Sequence, residues 1–239
     1  MKVLKVENLC KEYPGFRLED VSFSMEAGTI MGFIGRNGAG KTTTLKSIMN
    51  MVHAEKGSIE FFGLDLRENE TYIKQRIGYA GGAVDYYKKK KISKLMEITK
   101  SFYPLWDDAL CQKYMKLFSL DAGKTPSQLS EGMKVKLNLA MALSHGAELL
   151  ILDEPTSGLD PVSREELLEI FRYLKTQGVS ILFSTHITSD LDKCADDITY
   201  IRDGRIVYTG GIEGFCGGEK LEDVMIRHEK EAFHEKLDL

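Results

Sequence analysis

The segment Gly35 to Thr42, GRNGAGKT, constrains the fold more than any other part of this sequence. It follows a short apolar run, TIMGFIG, which is typical of a strand in a covered parallel sheet, and it precedes a helical pattern that begins at Lys41. A glycine-rich loop between a strand and a helix is the setting of a phosphate-binding loop, in which backbone N–H groups point at phosphate oxygens. This context disfavours a chance glycine-rich turn and predicts an α/β fold that binds a nucleotide.

The loop offers a cation and a hydroxyl in addition to its backbone. Lys41 brings a full charge to the β- and γ-phosphates, and each such charge pair is worth about 4 kcal/mol at about 4 Å and an effective dielectric of about 20. The Thr42 hydroxyl is a suitable Mg²⁺ ligand. We predict ATP and Mg²⁺ as the cofactors. The predicted nucleotide-binding residues of the loop are Gly35, Asn37, Gly38, Ala39, Gly40, Lys41, Thr42 and Thr43.

Two acidic residues, Asp153 and Glu154, follow the apolar run LLIL and begin the segment DEP. Asp153 suits a Mg²⁺ contact, and Glu154 is placed to polarise an attacking water. His186 follows the strand pattern SILFST, at the edge of a parallel sheet where α/β proteins bind ligands. Taken alone, the acids are more often a helix cap or a solvated turn, and the histidine is more often structural. The phosphate loop in the same chain reverses those odds.

Short alternating or apolar runs predict further strands. The runs are KVLKVENL, EDVSFSM, SIEFFG, RIGYA, LLILD and SILFST. Pro161 and Gly178 bracket a predicted helix over 162–177, because proline favours the first turn of a helix and glycine the position after its end. The pair Asp203-Gly204 predicts the turn of a β-hairpin.

Between about 85 and 146 the apolar periodicity becomes helical, which predicts a helical subdomain inserted in the α/β core. Residues expected to be buried on its three helices are Ile92, Leu95, Met96, Thr99 and Phe102, then Leu110, Tyr114, Leu117 and Phe118, then Met133, Leu137, Ala140, Met141 and Ser144. The helix that begins at Lys41 is expected to bury Leu45, Ile48, Met49 and Val52. The chain from Gly217 reads as one short charged helix.

Composition excludes several classes of protein. The net charge is −4, so a broad basic surface for nucleic acid is not expected, and the lysine run 88–91 is better explained as a solvated loop or helix end. The first residues intersperse charges with apolar side chains, unlike a signal peptide. The most apolar region, 137–152, is interrupted by polar residues, so a membrane-spanning helix is not expected. We expect a cytosolic chain that reaches a membrane only through a partner.

The segment LSEGM precedes a helical pattern and has two interpretations. Ser130 can be an ordinary N-cap that accepts backbone N–H groups, with Gly132 incidental. The same helix end can also receive an anion through its free N–H groups. Asp160, directly before Pro161, is likewise a candidate N-cap.

Five segments in this order, GRNGAGKT, LSEGM, LLILDEP, SGLD and STH, resemble the ATP-binding subunit of ABC transporters. The resemblance covers residues 1 to about 211. It implies a P-loop NTPase core with a parallel sheet, an N-terminal antiparallel β subdomain and an inserted helical subdomain at about 85–146. We expect a cassette over 1–216 and a C-terminal helical tail over 217–239.

The resemblance also implies that two subunits face each other head to tail, with each ATP between one phosphate loop and the other subunit's LSEGM helix. Ser130 and Gly132 would then contact the partner's ATP, and Asp160 would cross the dimer interface. Tyr13 would stack on adenine; otherwise it is an aromatic residue of an edge strand. Glu154 and His186 would be the catalytic residues, and Thr42 and Asp153 the metal ligands.

A subunit of this family drives a separate membrane permease, which would hold it at the inner face of the cell membrane. The single cassette resembles those of small exporters of peptides or antibiotics. The sequence leaves open the cargo, the direction of transport and whether the two ATP-binding subunits are identical. Two alternatives are an ATP-dependent regulator of a membrane complex and a soluble ABC ATPase. The long insertion or second cassette usual in soluble members is absent from this sequence.

Two departures from the family pattern stand out. LSEGM stands where the family has its signature segment, and in this chain Glu131 and Met133 replace the usual second glycine and final glutamine of that signature. Gly81-Gly82 occupies the place after the strand RIGYA where the family usually has glutamine or glutamate. The resemblance places this region near the membrane partner, so we expect hydrolysis to depend on that partner.

Overall fold

A six-stranded sheet forms the centre of the structure, a computed structural model that describes residues 1–81 and 87–237, with side-chain surroundings described to residue 234. Its order is β10-β9-β3-β8-β7-β6. The strands are β3 Ile30–Ile34, β6 Ile77–Gly81, β7 Leu149–Asp153, β8 Ser180–Thr185, β9 Asp197–Arg202 and β10 Arg205–Gly211. All neighbours are parallel except β9 and β10, which form the expected hairpin. The predicted α/β fold is confirmed.

The parallel strands bury their residues because helices cover both faces of the sheet. β3, β7 and β8 are buried along their whole length, which explains their nearly continuous apolar runs. In the register of the sheet, Asp153 lies opposite Ser184 on one side and Gly81 on the other. The carboxyl ends of β7, β8 and β3 therefore meet at one edge, beside the loop that follows β3.

A second, antiparallel sheet packs on this core in the order β2-β1-β4-β5. It consists of β1 Lys2–Tyr13, β2 Phe16–Glu26, β4 Lys56–Phe61 and β5 Leu64–Asp65. Val21, Phe23 and Met25 are buried on one face of β2, as their alternation predicts. The two long strands are joined by the two-residue turn Pro14-Gly15, so Tyr13 and Phe16 are cross-strand partners.

The hairpin turn Asp203-Gly204 connects the phosphate loop to this second sheet. Both residues have positive φ, 47° and 77°, as a tight hairpin requires. The Gly204 N–H donates to the carbonyl of Ala39 at 3.0 Å, and the Gly204 carbonyl accepts the N–H of Glu19 at 2.9 Å. A Cβ at Gly204 would lie 1.8 Å from the carbonyl oxygen of Arg17, so only glycine fits between the two segments.

Helices that pack on the core include α1 Lys41–Ile48, α2 Leu66–Gln75, α6 Pro161–Thr176 and α7 Thr188–Cys194. α6 begins and ends within one residue of the predicted 162–177, because Asp160 caps its N-terminus and Gly178, with a φ of 85°, follows its end. α1 is shorter than predicted. Val52 lies beyond its end at Ile48, so helical spacing from Lys41 does not apply to it.

The inserted segment forms α3 Ile92–Lys100, α4 Asp108–Leu117 and α5 Glu131–Ser144. Most residues of the predicted apolar stripes are buried, but the predictions for two residues are wrong. Phe102 follows the end of α3 and is 69% exposed, and Leu117 is 51% exposed at the last turn of α4. On α4, the buried position goes to Met115, one turn after Cys111.

The C-terminal part forms α8 Ile212–Cys216 and α9 Leu221–Leu237, the latter longer than the short helix expected. Leu221 and Met225 are buried in the main core, so α9 packs on the sheet domain. The proposed boundary between cassette and tail falls at Gly217, whose φ of 56° ends α8. Among the described residues, none of these helices combines the length and apolarity needed to cross a membrane.

Candidate active site

The phosphate loop surrounds the side chain of Lys41 at the start of α1. Lys41 is only 6% exposed, and its Nζ donates to the carbonyl of Gly35 at 2.8 Å. Gly40, with a φ of 112°, turns the loop into the helix. A Cβ at Gly40 would lie 2.7 Å from Leu18 Cδ2 and 2.9 Å from Phe16 Cζ. Glycine is needed here for both conformation and space.

Asp153 and Thr42 meet across the boundary between β7 and α1. Thr42 Oγ1 donates to Asp153 Oδ1 at 3.1 Å, and Ser184 Oγ donates to the same oxygen at 2.6 Å. Asp153 is buried at the end of its strand. A carboxylate beside a hydroxyl is a set of hard oxygen donors, which fits Mg²⁺ and disfavours softer metals.

Glu154 lies between Lys41 and His186. Its Oε1 is 3.1 Å from Lys41 Nζ, and its Oε2 is 2.9 Å from His186 Nδ1. The Glu154 backbone has a φ of 52°, which is unusual for a residue other than glycine, and its N–H donates to Ser184 Oγ at 2.9 Å. Such strained positions concentrate at functional sites, and this one aims the carboxylate at the loop.

Lys41, Glu154 and His186 border an open cavity of about 640 Å³. The phosphate loop contributes the lining residues from Arg36 to Thr43 except Ala39. The other lining residues are Gly15, Phe16 and Ser157. The volume is in the range of small-molecule sites, and the lining combines a helix N-terminus, a lysine and a carboxylate.

Ser130 caps α5 away from this cavity. Its Oγ accepts the Met133 N–H at 3.3 Å, and the residue is exposed. Glu131 pairs with Lys134 of the same helix at 2.6 Å, so its charge is partly neutralised on the helix surface. Gly132 is buried where a Cβ would lie 3.3 Å from Cβ of Ser163.

Asp160 caps α6 next to the start of α5. Its carboxylate accepts the N–H groups of Val162 and Ser163, each at 3.0 Å, and the Ser163 hydroxyl at 2.6 Å. The Ser163 hydroxyl, followed by the Ser163 N–H, lowers the pKa of the exposed Asp160 carboxyl. The cap interpretations of Ser130 and Asp160 therefore hold within one chain, and the starts of α5 and α6 lie side by side.

Comparison with known proteins matches these features to one family. Residues 18–157, which include the phosphate loop, LSEGM and DEP, match the family model described as ABC transporter. The chain belongs to the ABC transporter family. It is 33% identical to the lantibiotic transport ATP-binding protein SrtF of Streptococcus pyogenes, over 93% of this chain and 95% of that protein.

Two further comparisons agree with the ABC assignment. The chain is 31% identical to the ABC transporter ATP-binding protein YtrB of Bacillus subtilis, over 85% of this chain and 70% of that protein. A solved ATP-binding subunit of an ABC transporter superposes with a TM-score of 0.84 and 27% identity, over 94% of this chain and 98% of that one. The chain is thus a nucleotide-binding ABC subunit, an ATPase whose reaction is coupled to transport.

The sequence does not predict three residues of the site, which are Ser184, Ser157 and Phe16. Ser184 and Ser157 resemble ordinary strand and loop serines, although the first supports both Asp153 and the backbone of Glu154. Phe16 lines the cavity because strand pairing and the contact with Gly40 bring it there, which a local pattern does not reveal. A sequence signal that could have identified Phe16 is its position opposite Tyr13 across the Pro14-Gly15 turn.

Two features that the resemblance implies, the stacking of Tyr13 and the departure at Gly81-Gly82, stay predictions. Tyr13 is 40% exposed at the end of β1, with Lys11 Nζ 5.3 Å from its ring centre, and it is not among the described residues that line the cavity. Its stacking on adenine stays a prediction. Gly82 lies outside the described residues, so the departure at Gly81-Gly82 also stays a prediction.

Proposed function

We propose that this chain hydrolyses ATP with Mg²⁺ as one half of a head-to-tail pair of ATP-binding subunits. Closure of the pair drives a separate membrane permease. The observation that carries the proposal is the row of Lys41, Glu154 and His186, set beside the pair Thr42 and Asp153. These groups include the cation, the carboxylate and the oxygen donors that the proposed reaction needs, and Lys41, Thr42, Glu154 and His186 line one cavity.

In the proposed reaction, the γ-phosphate of ATP competes with Glu154 for Lys41. Both partners carry full charges, and Lys41 is buried, so exchanging one anion for another keeps the lysine neutralised. Once Lys41 binds phosphate, Glu154 is free to accept a proton from water. His186 contacts the other oxygen of Glu154 and limits its rotation. Catalysis here is mainly positioning and charge stabilisation.

Mg²⁺ is proposed to be held by Thr42 and Asp153. The two side chains already lie within hydrogen-bond distance, and the contact of Ser184 with the same Asp153 oxygen orients the carboxylate. When bound, the metal supplies positive charge that offsets the charge of the β- and γ-phosphates. The oxygen-only donor set fits its preference for hard ligands.

The position of the LSEGM helix supports the proposal of a second ATP-binding subunit. Ser130 is exposed at the N-terminus of α5 and is not among the described residues lining the cavity of its own chain. The free backbone N–H groups at the start of α5, together with the Ser130 hydroxyl, are suited to binding an anion that belongs to another molecule. The adjacent Asp160 would then face the partner subunit. The pair can consist of two identical or two related subunits.

The cargo is proposed from relatives. SrtF is named for lantibiotic transport and BcrA of Bacillus licheniformis for bacitracin transport, and this chain is 33% and 32% identical to them. We infer that the permease exports a peptide antibiotic or a similar compound, and that it holds this chain at the inner face of the cell membrane.

The decisive experiment isolates the chain from its native membrane with the copurifying permease and reconstitutes the complex in vesicles. ATP-dependent movement of a labelled peptide antibiotic, lost with Glu154→Gln, is the expected result. The matched control is Glu169→Gln, the same exchange at an exposed position of α6. ATP hydrolysis without movement of any tested peptide would favour a regulator, and purification without a membrane protein would favour a soluble ATPase.

A further inference from the structure

We propose that the side chain of Arg36 is a further phosphate-binding group of the nucleotide site, and that Glu229 of the C-terminal helix α9 competes with the nucleotide for it. The inference rests on the proposed binding of ATP in the cavity. The ion pair that carries it joins the phosphate loop to α9, with Arg36 Nη1 3.5 Å from Glu229 Oε2. Through this pair, the C-terminal helix controls the affinity for nucleotide.

The backbone of Arg36 lies at the phosphate-binding cation. Its carbonyl oxygen is 3.4 Å from Lys41 Nζ and accepts the Ala39 N–H at 3.1 Å. The residue lines the nucleotide cavity, and it also lines two cavities that it shares with Glu229 and Phe233 of α9. Arg36 therefore borders both the proposed position of the phosphates and the C-terminal helix.

Glu229 is the fixed member of the pair. Its side chain is only 22% exposed, and its Oε1 accepts the hydroxyl of Tyr200, which is fully buried in β9. Burial raises the pKa of Tyr200, so the hydroxyl stays protonated and can donate. The neighbouring carbonyl of His228 accepts Arg202 Nη1 at 3.2 Å, which ties the same turn of α9 to the sheet.

Arg36 is the movable member of the pair. Its side chain is 77% exposed, and exposed side chains change rotamer within picoseconds to nanoseconds. An exposed ion pair contributes little to stability, so leaving Glu229 costs little. A guanidinium suits phosphate oxygens because its N–H groups form a planar fork. A triphosphate also carries more negative charge than one carboxylate, which favours the exchange of Glu229 for phosphate when ATP is bound.

The proposed exchange differs measurably from a purely structural ion pair. A pair that only fastens α9 to the phosphate loop would affect unfolding and leave nucleotide affinity unchanged when either member is replaced. In the exchange, the two members have opposite effects on affinity, because Arg36 contributes to binding and Glu229 withholds it. The effect of Glu229 also depends on the presence of Arg36, which a double-mutant cycle detects.

The test measures Kd by calorimetry for ATP and for inorganic tripolyphosphate, each with Mg²⁺, on the full chain. We expect Arg36→Gln to raise the Kd of both ligands at least about fivefold, because both carry the phosphates. Glu229→Gln should lower both about twofold to fivefold. In the double variant, Kd should equal that of Arg36→Gln alone.

Two features of the variants protect the comparison. Glutamine at position 229 keeps an amide oxygen that can accept the Tyr200 hydroxyl, and Tm is measured to verify that the fold is retained. The matched control is Glu222→Gln, the same exchange at an exposed position in the first turn of α9, which should leave both Kd values as in the wild type.

Three results would overturn the proposal. One is an unchanged Kd in Arg36→Gln, and another is a loss of affinity for ATP with tripolyphosphate spared. The third is an equal effect of Glu229→Gln with and without Arg36, which would assign Glu229 to the general electrostatic field. A wild-type chain that binds neither ligand would instead contradict the proposed function, so the two failures are distinguishable.

Discussion

The Nζ atom of Lys41 lies 3.1 Å from Oε1 of Glu154, so the phosphate-binding cation and the proposed base form an ion pair with each other. The pair neutralises two charges at a partly enclosed site. It also means that a nucleotide has to displace one partner before it can use the other. The predictions for these residues follow from this competition.

Glu154→Gln is expected to abolish hydrolysis and keep ATP binding. A neutral amide no longer competes for Lys41, so ATP should bind at least as tightly as in the wild type. Removal of a general base costs about 10²–10⁴ in rate. Steady-state phosphate release and calorimetric ATP binding check the two parts, with Glu169→Gln as the control. Turnover near the wild-type rate would remove Glu154 from the mechanism.

Ser130→Arg is expected to separate nucleotide binding from hydrolysis. The bulky side chain would stand at the exposed N-terminus of α5, outside the cavity of its own chain, so ATP should still bind to one subunit. Dimerisation with ATP, followed by light scattering, should fail together with hydrolysis. Ser93→Arg, at an exposed position of α3, should behave like the wild type.

Shared sites also predict that the specific ATPase activity of the wild type rises with protein concentration. This follows because a second subunit has to supply Ser130. A dilution series that spans the monomer–dimer transition provides the measurement. Constant specific activity at concentrations where only monomer is detected would argue against shared sites.

His145 is expected to make stability fall at mildly acidic pH. It is buried, stacked on Tyr103 at 3.8 Å, and its Nδ1 lies 3.0 Å from the carbonyl oxygen of Gln75. Burial lowers the pKa of His145 below 6.5, so the unfolded chain binds this proton more readily than the folded one. The contribution of His145 to stability is therefore present above about pH 6.5 and is lost as the pH falls through the lowered pKa.

The measurement for His145 is urea unfolding at pH 7.5 and pH 5.5. His145→Phe keeps the aromatic contact with Tyr103 and removes the titrating group, so it should reduce the difference in unfolding free energy between the two pH values. The same exchange at the exposed His53 should leave that difference as in the wild type. An undiminished difference in His145→Phe would contradict the assignment.

Asp190→Asn is expected to stabilise the fold at neutral pH. Asp190 is 1% exposed on α7, and neither carboxylate oxygen has a hydrogen bond of good geometry to the described residues, although the Thr156 hydroxyl and the Arg164 charge lie near enough to lower its pKa in part. Burial raises the pKa of this carboxyl, so its destabilising effect appears as pH rises through the raised pKa. We expect Tm to increase by about 2–4 °C at pH 7, which corresponds to about 1 kcal/mol.

Two controls sharpen the prediction for Asp190. The gain in Tm should shrink at a pH below about 3.9, where the carboxyl is protonated in the unfolded chain too. Asp223→Asn, at an exposed position in the first turn of α9, should produce no gain, because a negative charge is favourable there. A lower Tm in Asp190→Asn at pH 7 would indicate that the carboxylate is needed in its charged form.

Local signals explain what could be read from the sequence. The phosphate loop, α6 and the hairpin at Asp203 are determined by neighbours in the chain, such as Pro161 before a helix and Gly204 in a turn, and the sequence predicts them well. Strands β7 and β8 match their predicted bounds because buried parallel strands are short apolar runs.

Tertiary contacts explain what could not be read. Phe102 fits a helical stripe until α3 ends before it, and helix ends depend on packing as well as on spacing. Ser184 becomes part of the site only because β8 pairs with β7 in a register that sets it opposite Asp153. Phe16 reaches the cavity through strand pairing and its contact with Gly40.

The hydrogen bonds of Gly204 to Ala39 and Glu19 have a consequence for ligand selection. They fix the distance between the strand that carries Phe16 and the loop that carries Lys41 before any nucleotide arrives. The separation of these two segments is therefore set by the fold rather than by the ligand, so a molecule that binds between them meets a preformed site.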